Sequence, residues 1–187
     1  MSEPAEIEHI KDKRIALLIA VLALCLALVE TGAKGTQTAA ITDNVEANDL
    51  WAYYQARTVR QTTVRTAVQQ AELTKLTLTD PAARTAVEAQ QKVWTDMDAR
   101  WEDDPKGGDG RKQIQDHAHA VEHRRDESLA KYHLYEYAGG LFQIAIVIVS
   151  ASIVTGVTLL AFGGSALALG GAVLGVLGFA APHLIHF

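Results

Sequence analysis

Apolar residues are concentrated near the start of the chain and over its last 49 residues, with a charged stretch between them. The first apolar run, IALLIAVLALCLALV, extends with its neighbours over residues 15–33. A helix of this length reaches about 28 Å, close to the hydrocarbon thickness of a bilayer. Two further apolar runs occupy residues 139–162 and 166–181. The pattern predicts three transmembrane helices over these three ranges.

Small residues separate the second apolar run from the third. Gly163, Gly164 and Ser165 lie between them, and Pro182 follows the third run. Because glycine and proline commonly interrupt regular structure, we expect a turn at residues 163–165. A link this short makes the two helices an antiparallel hairpin. For the first run a cleaved signal peptide is the alternative, but no small-residue cleavage site closes it, so an uncleaved anchor is predicted.

The charged stretch, residues 36–138, has the periodicity of helices. One long helix is predicted over residues 36–78, and a second begins after Asp80, which can cap it ahead of a proline in the first turn. The sequence DDPKGGDG, residues 103–110, is predicted to be a loop. A third helix begins near Arg111 and runs into the second span, since no proline separates them.

These elements predict an all-α membrane protein. It would have three transmembrane helices, and a long extramembrane helical bundle or coiled-coil hairpin over residues 36–138 would lie between the first and the second. Residues 1–14 are predicted to form a polar N-terminal tail and residues 182–187 a C-terminal tail. The expected partner of the apolar segments is the lipid bilayer.

Charge and cysteine content narrow the possible functions. Residues 36–138 carry 13 Lys/Arg and 17 Asp/Glu, whereas residues 139–187 carry no Asp, Glu, Lys or Arg. The formal net charge of the 187-residue chain is −5, which does not favour a nucleic-acid partner. The one cysteine, Cys25, excludes an intramolecular disulfide.

Basic residues around the first span predict its orientation. Lys11, Lys13 and Arg14 precede the span, and Lys34 is the one basic residue in the 20 positions that follow it. This asymmetry favours a cytoplasmic N-terminus, because basic residues are retained on the cytoplasmic side.

Small residues recur along the predicted C-terminal hairpin at intervals of three or four, so they are expected to share one helical face. The series consists of Ala161, Gly164, Ala168, Gly171, Gly175 and Gly178. Helices in lipid associate through close backbone approach over small residues, so this face is predicted to pack against another helix. The first span, the second span and another subunit are all possible partners.

Aromatic residues in the charged stretch are candidates for packing between helices. Trp51 and Tyr54 lie in one helix, and Trp94 and Trp101 in the next. Trp51 lies about 27 Å beyond the end of the first span, too far for an interfacial aromatic belt. We expect Trp51 and Tyr54 to pack against Trp94, Trp101 or a neighbouring subunit.

Three features together resemble an uncharacterised bacterial membrane-protein family. They are the N-terminal apolar run, the stretch NDLWAYYQARTVR at residues 48–60 and the glycine-rich C-terminal hairpin. The likeness covers nearly the whole chain, and its most specific part is the W-A-Y-Y-Q-A motif. The resemblance implies a small inner-membrane protein with three spans, and it brings no catalytic residue or cofactor.

The sequence HAHAVEH, residues 117–123, raises the possibility of a metal site. His119 and His123 lie four apart, so they share a helical face, with Asp116 on the same side. His119, Glu122 and His123 also match the H-x-x-E-H pattern of some zinc proteases. However, no acidic ligand lies well downstream, and a slim helical region offers no peptide cavity. We therefore expect a polar helix face, with no catalytic residue and no cofactor, and keep Asp116, His119 and His123 as weak candidates for metal binding.

The sequence therefore predicts a non-enzymatic, self-associating membrane protein of the bacterial inner membrane. It would be a homo-oligomer with a structural or scaffolding role, or the membrane subunit of an assembly with another membrane protein. An oligomeric channel or transporter-like pore is the first alternative, and a metal-binding or metal-dependent protein is the second.

Overall fold

A computed structural model describes the backbone of residues 3–181 and the side chains of residues 13–181. All regular elements in this range are α-helices: α1, Glu3–Thr77; α2, Pro81–Glu102; α3, Arg111–Thr155; and α4, Thr158–Ala180. The predicted all-α fold is confirmed. Three helices, α1, α3 and α4, each contain a stretch long and apolar enough to cross a membrane.

Helix boundaries differ from the predicted ones at both ends of the chain. Because α1 begins at Glu3, most of the predicted N-terminal tail, residues 1–14, is helical, and α1 continues without a break through the predicted boundary at residues 33–36. The predicted C-terminal tail, residues 182–187, lies outside the described residues.

The described parts of Met1–Ile41 and Arg124–Phe187 form one compact unit, called here the apolar unit. Its core combines α1, α3 and α4 and includes Ile15, Leu22, Phe142 and Val149. Many of its large apolar side chains point outward from these helices, such as Leu17, Leu24, Val154, Leu159 and Phe179. Water would solvate such a surface poorly, whereas lipid tails match it.

The turn between α3 and α4 lies at Gly156 and Val157, so the predicted turn at residues 163–165 is wrong. Gly156 has a φ of 71°, which glycine adopts without a steric penalty, and its amide donates to the Ser152 carbonyl at 3.0 Å. Gly163 and Gly164 lie inside α4, because a membrane helix tolerates glycine in its interior. The predicted second span therefore ends at Thr155, and the third begins at Thr158.

Residues Thr42–His123 form the second compact unit, called here the charged unit. It contains the C-terminal half of α1, the whole of α2 and the first turns of α3. The predicted cap of α2 is confirmed: the Asp80 carboxylate accepts hydrogen bonds from the amides of Ala82, at 3.0 Å, and Ala83, at 3.3 Å. The predicted start of α3 at Arg111 is confirmed as well, and α3 is continuous to Thr155.

The interior of the charged unit contains few large apolar side chains. Ala47 on α1 and Ile114, Ala118 and Val121 on α3 are buried. So are four polar residues: Arg57, Gln61, Gln91 and Asp104. Since burial of polar groups is unfavourable unless they are hydrogen-bonded, the contacts of these residues determine how the helices are held.

Candidate functional site

Three glycines of α4 lie against α3. A Cβ atom added at Gly164 would lie 2.5 Å from Val149 Cγ2 and 3.0 Å from the Ala145 carbonyl oxygen. One added at Gly171 would lie 3.1 Å from the Ala138 carbonyl oxygen, and one at Gly178 would lie 3.3 Å from Leu134 Cβ. Later residues of α4 contact earlier residues of α3, so the two helices run antiparallel, as predicted.

Gly175 belongs to the same predicted series but faces a different helix. A Cβ atom there would lie 3.4 Å from Val29 Cγ2 of α1. The four glycines therefore contact two helices of the same chain, α3 and α1.

Tyr135 occupies the junction of the three helices in the apolar unit. Its ring atoms lie 3.2 Å from a Cβ position at Gly32 of α1 and 3.3 Å from one at Gly178 of α4. A groove of about 510 Å³ lies beside it, between α1 and α3. On the same face the Gln143 amide donates to the Glu30 carboxylate at 3.2 Å. This pair is a polar link between α1 and α3 beside the apolar span.

Arg57 is the central polar residue of the charged unit. Its Nη2 atom donates to the Asp109 carboxylate at 2.6 Å, to the Asp109 carbonyl at 2.7 Å and to the Tyr53 hydroxyl at 2.8 Å. The guanidinium also lies over the Tyr53 ring, at 5.3 Å, and the Trp101 ring, at 5.9 Å. The side chain of Arg57 is 5% exposed and that of Asp109 51%, so the arginine is buried while its partner stays partly hydrated. This contact fixes the α2–α3 loop on α1.

Gln61 lies one turn beyond Arg57 and links α1 to α2. Its amide nitrogen donates to the Asp98 carbonyl at 3.2 Å and to the Glu102 carboxylate at 3.1 Å. Three buried atoms of this cluster have no protein partner: Arg57 Nε, Gln61 Oε1 and Asp98 Oδ1. A buried polar atom without a partner lowers the net stabilisation that such a cluster provides.

Nearer the start of α2, a second buried glutamine repeats this link. Gln91 donates to the Val68 carbonyl at 3.0 Å and to the Glu72 carboxylate at 3.1 Å. The neighbouring Lys75 also pairs with Glu72 at 2.7 Å. Amide side chains thus connect α1 and α2 at two levels of the unit.

The acidic loop between α2 and α3 is held by charged and polar contacts. A hydrogen bond from Arg111, at 2.9 Å, lowers the pKa of the Glu102 carboxyl, and the same contact raises the pKa of Arg111. Hydrogen bonds from Gln113 and Lys112 lower the pKa of Asp103. The Gly107 amide, at 2.9 Å, and then Arg100 lower the pKa of Asp104. These carboxylates stay ionised because the loop and the adjoining ends of α2 and α3 supply donors to them.

Trp51 packs against α3, where the sequence predicts Trp94, Trp101 or a neighbouring subunit. Its ring meets that of His119 at 5.2 Å and that of Tyr54 at 5.5 Å, both edge-on. Its Nε1 atom donates to the Glu122 carboxylate at 2.9 Å. The Arg111 guanidinium covers the Tyr54 ring at 5.3 Å. The W-A-Y-Y-Q-A motif therefore provides the contact between α1 and α3.

Trp94 and Trp101 lie apart from Trp51, each with its own surroundings. Trp94 lines an open groove of about 330 Å³ between α1 and α2, together with Ala67, Ala71 and Val87. Trp101 lies beside Arg57.

The histidine cluster makes contacts within the helix and with α1. His119 Nδ1 lies 2.9 Å from the Glu122 carboxylate, whose other oxygen accepts from Trp51. Asp116, His119 and His123 are exposed. Over residues 13–181 no three His, Cys, Asp or Glu side chains gather closely enough to hold a metal ion. In this geometry Glu122 holds Trp51 rather than facing an open coordination site.

Sequence reasoning missed the polar residues that connect the helices, Arg57, Gln61 and Gln91. A signal for the first two is present: they continue the 3–4 spacing of Leu50, Tyr54, Val64 and Val68, so they occupy inward positions. Their partners, Asp98, Glu102 and Asp109, are between 37 and 52 positions away. Only the folded arrangement identifies these pairs.

The family of the chain follows from its sequence. Residues 11–181 match a family described as a domain of unknown function, DUF4337. No curated protein and no solved structure matches the chain. The match extends from before the first apolar run to the end of the third, so it includes the α1–α3 contact, the polar interior and the glycine contacts. The chain belongs to the DUF4337 family.

Proposed function

We propose that this protein is a non-enzymatic, self-associating integral membrane protein, with a structural or scaffolding role or as the membrane subunit of a larger assembly. The proposal rests on one observation, which is that the charged unit buries polar residues and exposes large apolar ones. Its interior holds Arg57, Gln61, Gln91 and Asp104, while large apolar side chains face outward.

Several large apolar side chains of this unit are more than half exposed. Val59 is 66% exposed, Leu73 66% and Leu76 71%. The free energy of burying one such side chain is about 1.5–3 kcal/mol. Contact with another protein surface would bury these side chains and so stabilise the complex relative to the isolated chain.

The groove between α1 and α2 supports the same proposal. It is open, and its lining is formed mainly by Ala67, Ala71, Val87 and Trp94. A groove with an aromatic residue beside small residues is well shaped to receive apolar side chains from a partner.

The three apolar helices support residence in a membrane, and the compartment is part of the proposal. We place the protein in the inner membrane of a bacterium, with a cytoplasmic N-terminus. Lys13 and Arg14 before the first span motivate this orientation. The orientation can be tested with two single-cysteine variants, Lys13→Cys and Thr85→Cys, each in a Cys25→Ala background. Labelling of these cysteines in intact cells would show on which side of the membrane each position lies.

Light scattering on the purified, full-length protein in detergent tests self-association. One chain has a mass of 20.2 kDa, so a protein mass of twice that value or more, after subtraction of the detergent, is expected. A single-chain mass at every protein concentration would contradict the proposal.

An oligomeric pore is the second candidate, and the Glu30–Gln143 pair favours it. Ionisable groups close to apolar spans often belong to ion or proton pathways. Glu30 is exposed on its helix and lines the groove beside Tyr135. Ion flux through reconstituted liposomes that is lost in a Glu30→Gln variant would support the pore. A wild type without flux would exclude it.

A further inference from the structure

An exposed face of α1, with five apolar and five uncharged polar positions, follows a heptad pattern. From Val45 to Leu76, ten positions repeat at alternating intervals of three and four, and all ten side chains are exposed. We call this set the outer stripe: Val45, Asn48, Ala52, Gln55, Val59, Thr62, Thr66, Gln69, Leu73 and Leu76. This spacing keeps residues on one side of a helix over many turns and is typical of coiled-coil seams.

A different face of α1 already serves the charged unit. Ala47, Arg57 and Gln61 are buried, and they also follow the 3–4 spacing, offset from the outer stripe. On a helical wheel the two faces lie roughly opposite each other, since 3.6 residues make one turn. α1 therefore carries two heptad faces, of which one is packed inside the chain.

The outer stripe carries no charge. Eight Asp, Glu, Lys and Arg residues lie between positions 42 and 77, and all of them are outside the stripe. Two of its threonines, Thr62 and Thr66, donate to carbonyls one turn earlier, at 3.0 and 2.9 Å, so their hydroxyls are satisfied within the helix. This face is thus less polar than its composition suggests. Exposed helix faces are normally rich in charge, so an uncharged face of this length indicates a contact surface.

We propose that the outer stripe pairs with the outer stripe of a second copy of this chain, as a parallel coiled coil. This inference rests on the proposed self-association and names the surface that produces it. Copies inserted the same way in one bilayer carry α1 in the same direction, so the stripes meet in parallel.

The residues on the stripe favour an identical partner in register. Val45, Val59 and Leu73 would each meet their own equivalent, as would Asn48 and Gln55. An amide side chain both donates and accepts, so it can bond to an identical amide, and such polar positions fix register in coiled coils.

The size of the stripe is sufficient for a specific contact. Its ten positions extend over about 47 Å, and with a helix about 10–12 Å wide the contact covers roughly 500 Å² on each copy. The total of roughly 1,000 Å² reaches the lower limit for a specific protein interface. Contacts in the apolar unit or in the groove beside Trp94 would add to it.

Disulfide cross-linking of the full-length protein in membranes tests this surface. In a Cys25→Ala background, three separate variants each carry one cysteine on the stripe: Val59→Cys, Thr66→Cys and Leu73→Cys. The matched control is Val93→Cys on α2, because Val93 is also an exposed valine, at 56% against 66% for Val59. A parallel, in-register pair brings equivalent cysteines within disulfide range, so the stripe variants should form at least about fivefold more dimer than the control.

The outcomes separate this inference from the proposed function. Stripe variants that cross-link no better than Val93→Cys, in a protein that light scattering shows to be oligomeric, would overturn the surface and leave self-association in place. A single-chain mass would overturn both. A cross-linked product whose mass is not a multiple of this chain would show a different partner and overturn the identical-copy pairing.

Discussion

The apolar unit and the charged unit are built on opposite packing rules, although α1 and α3 contribute to both. In the apolar unit, glycines bring helix backbones close together, and the large apolar side chains point outward. In the charged unit, arginine and glutamine side chains join the helices, and the apolar side chains again point outward. In the apolar unit the outward surface is largely apolar, whereas in the charged unit exposed apolar residues lie among exposed charged ones.

The two units differ in what is expected to surround them. Outward apolar side chains on the apolar helices are explained by lipid, which requires nothing more specific. The charged unit has 8 charged residues on its stretch of α1 alone, so lipid does not explain its outward apolar residues. We propose that a protein surface covers them. Close packing is therefore expected to determine the stability of the first unit, and polar contacts together with association that of the second.

The largest effect is expected from filling the closest glycine contact. In Gly164→Leu the new side chain would meet Val149 and the Ala145 carbonyl, which backbone packing holds in place. Overpacking of this kind costs about 1–3 kcal/mol or more. Unfolding in increasing dodecyl sulfate, followed by circular dichroism, would measure the loss.

Gly163 provides the matched control for that substitution. It is the preceding residue of α4, and a Cβ atom there would meet nothing within 4 Å. Gly163→Leu should therefore leave stability unchanged or raise it slightly, because leucine favours a helix more than glycine does. Equal losses in the two variants would contradict the glycine contact between α3 and α4.

A smaller effect is expected from Arg57→Met in the charged unit. The substitution removes the hydrogen bonds to Asp109 and Tyr53 but leaves an apolar side chain of similar length. Asp109 is half exposed, so water can solvate its carboxylate, and the loss should be about 1–3 kcal/mol. Arg60→Met, on the exposed side of the same helix, should change the urea midpoint little. A loss in Arg60→Met as large as that in Arg57→Met would show that the buried contact is not specific.

Acid is expected to weaken the α2–α3 connection. Contacts with donors lower the pKa values of Glu102, Asp103 and Asp104, so their stabilisation is complete above the ordinary carboxylate range near pH 4. This stabilisation is lost as the pH falls through the pKa values that these carboxyls have in the folded protein. The urea midpoint should therefore be constant from pH 7 to about pH 5 and fall below about pH 4. In Glu102→Gln the fall should be smaller, and an unchanged fall would exclude Glu102 as a source.

The smallest effect is expected at the histidine cluster. His119→Ala with His123→Ala removes two candidate ligands, while Glu122 keeps its bond to Trp51. Because the described residues gather no set of three ligands, the zinc content of purified protein should be well below one ion per chain and should not change. One zinc per chain that disappears in the double variant would restore the metal hypothesis.

Local chemistry made much of this fold predictable. The Asp80 cap, the loop before Arg111 and the apolar runs are signals carried by neighbouring residues, and the structure follows them. The turn between α3 and α4 was not predictable in the same way, because glycine serves both for turns and for helix contacts. Gly156 takes the positive φ, while Gly164 lies against Val149, and only the packed hairpin distinguishes these roles.

The polar contacts of the candidate site were less predictable. Arg57 and Gln61 occupy inward positions that periodicity alone would assign to apolar residues, and their partners come from another helix and a loop. The contact of Trp51 with Glu122 joins residues 71 positions apart. Such pairs depend on the register between helices, which the spacing within one helix does not determine.

Self-association through the outer stripe is tested most directly by extracting the protein from membranes together with its surrounding lipid and measuring the protein mass of the particle. The wild type and a Val93→Glu control should both contain two or more chains of 20.2 kDa. Val59→Glu combined with Leu73→Glu places like charges opposite each other across the paired stripes and should reduce the mass to one chain, with helix content unchanged. A wild type of one chain, or a double variant that stays as large as the wild type, would contradict the account.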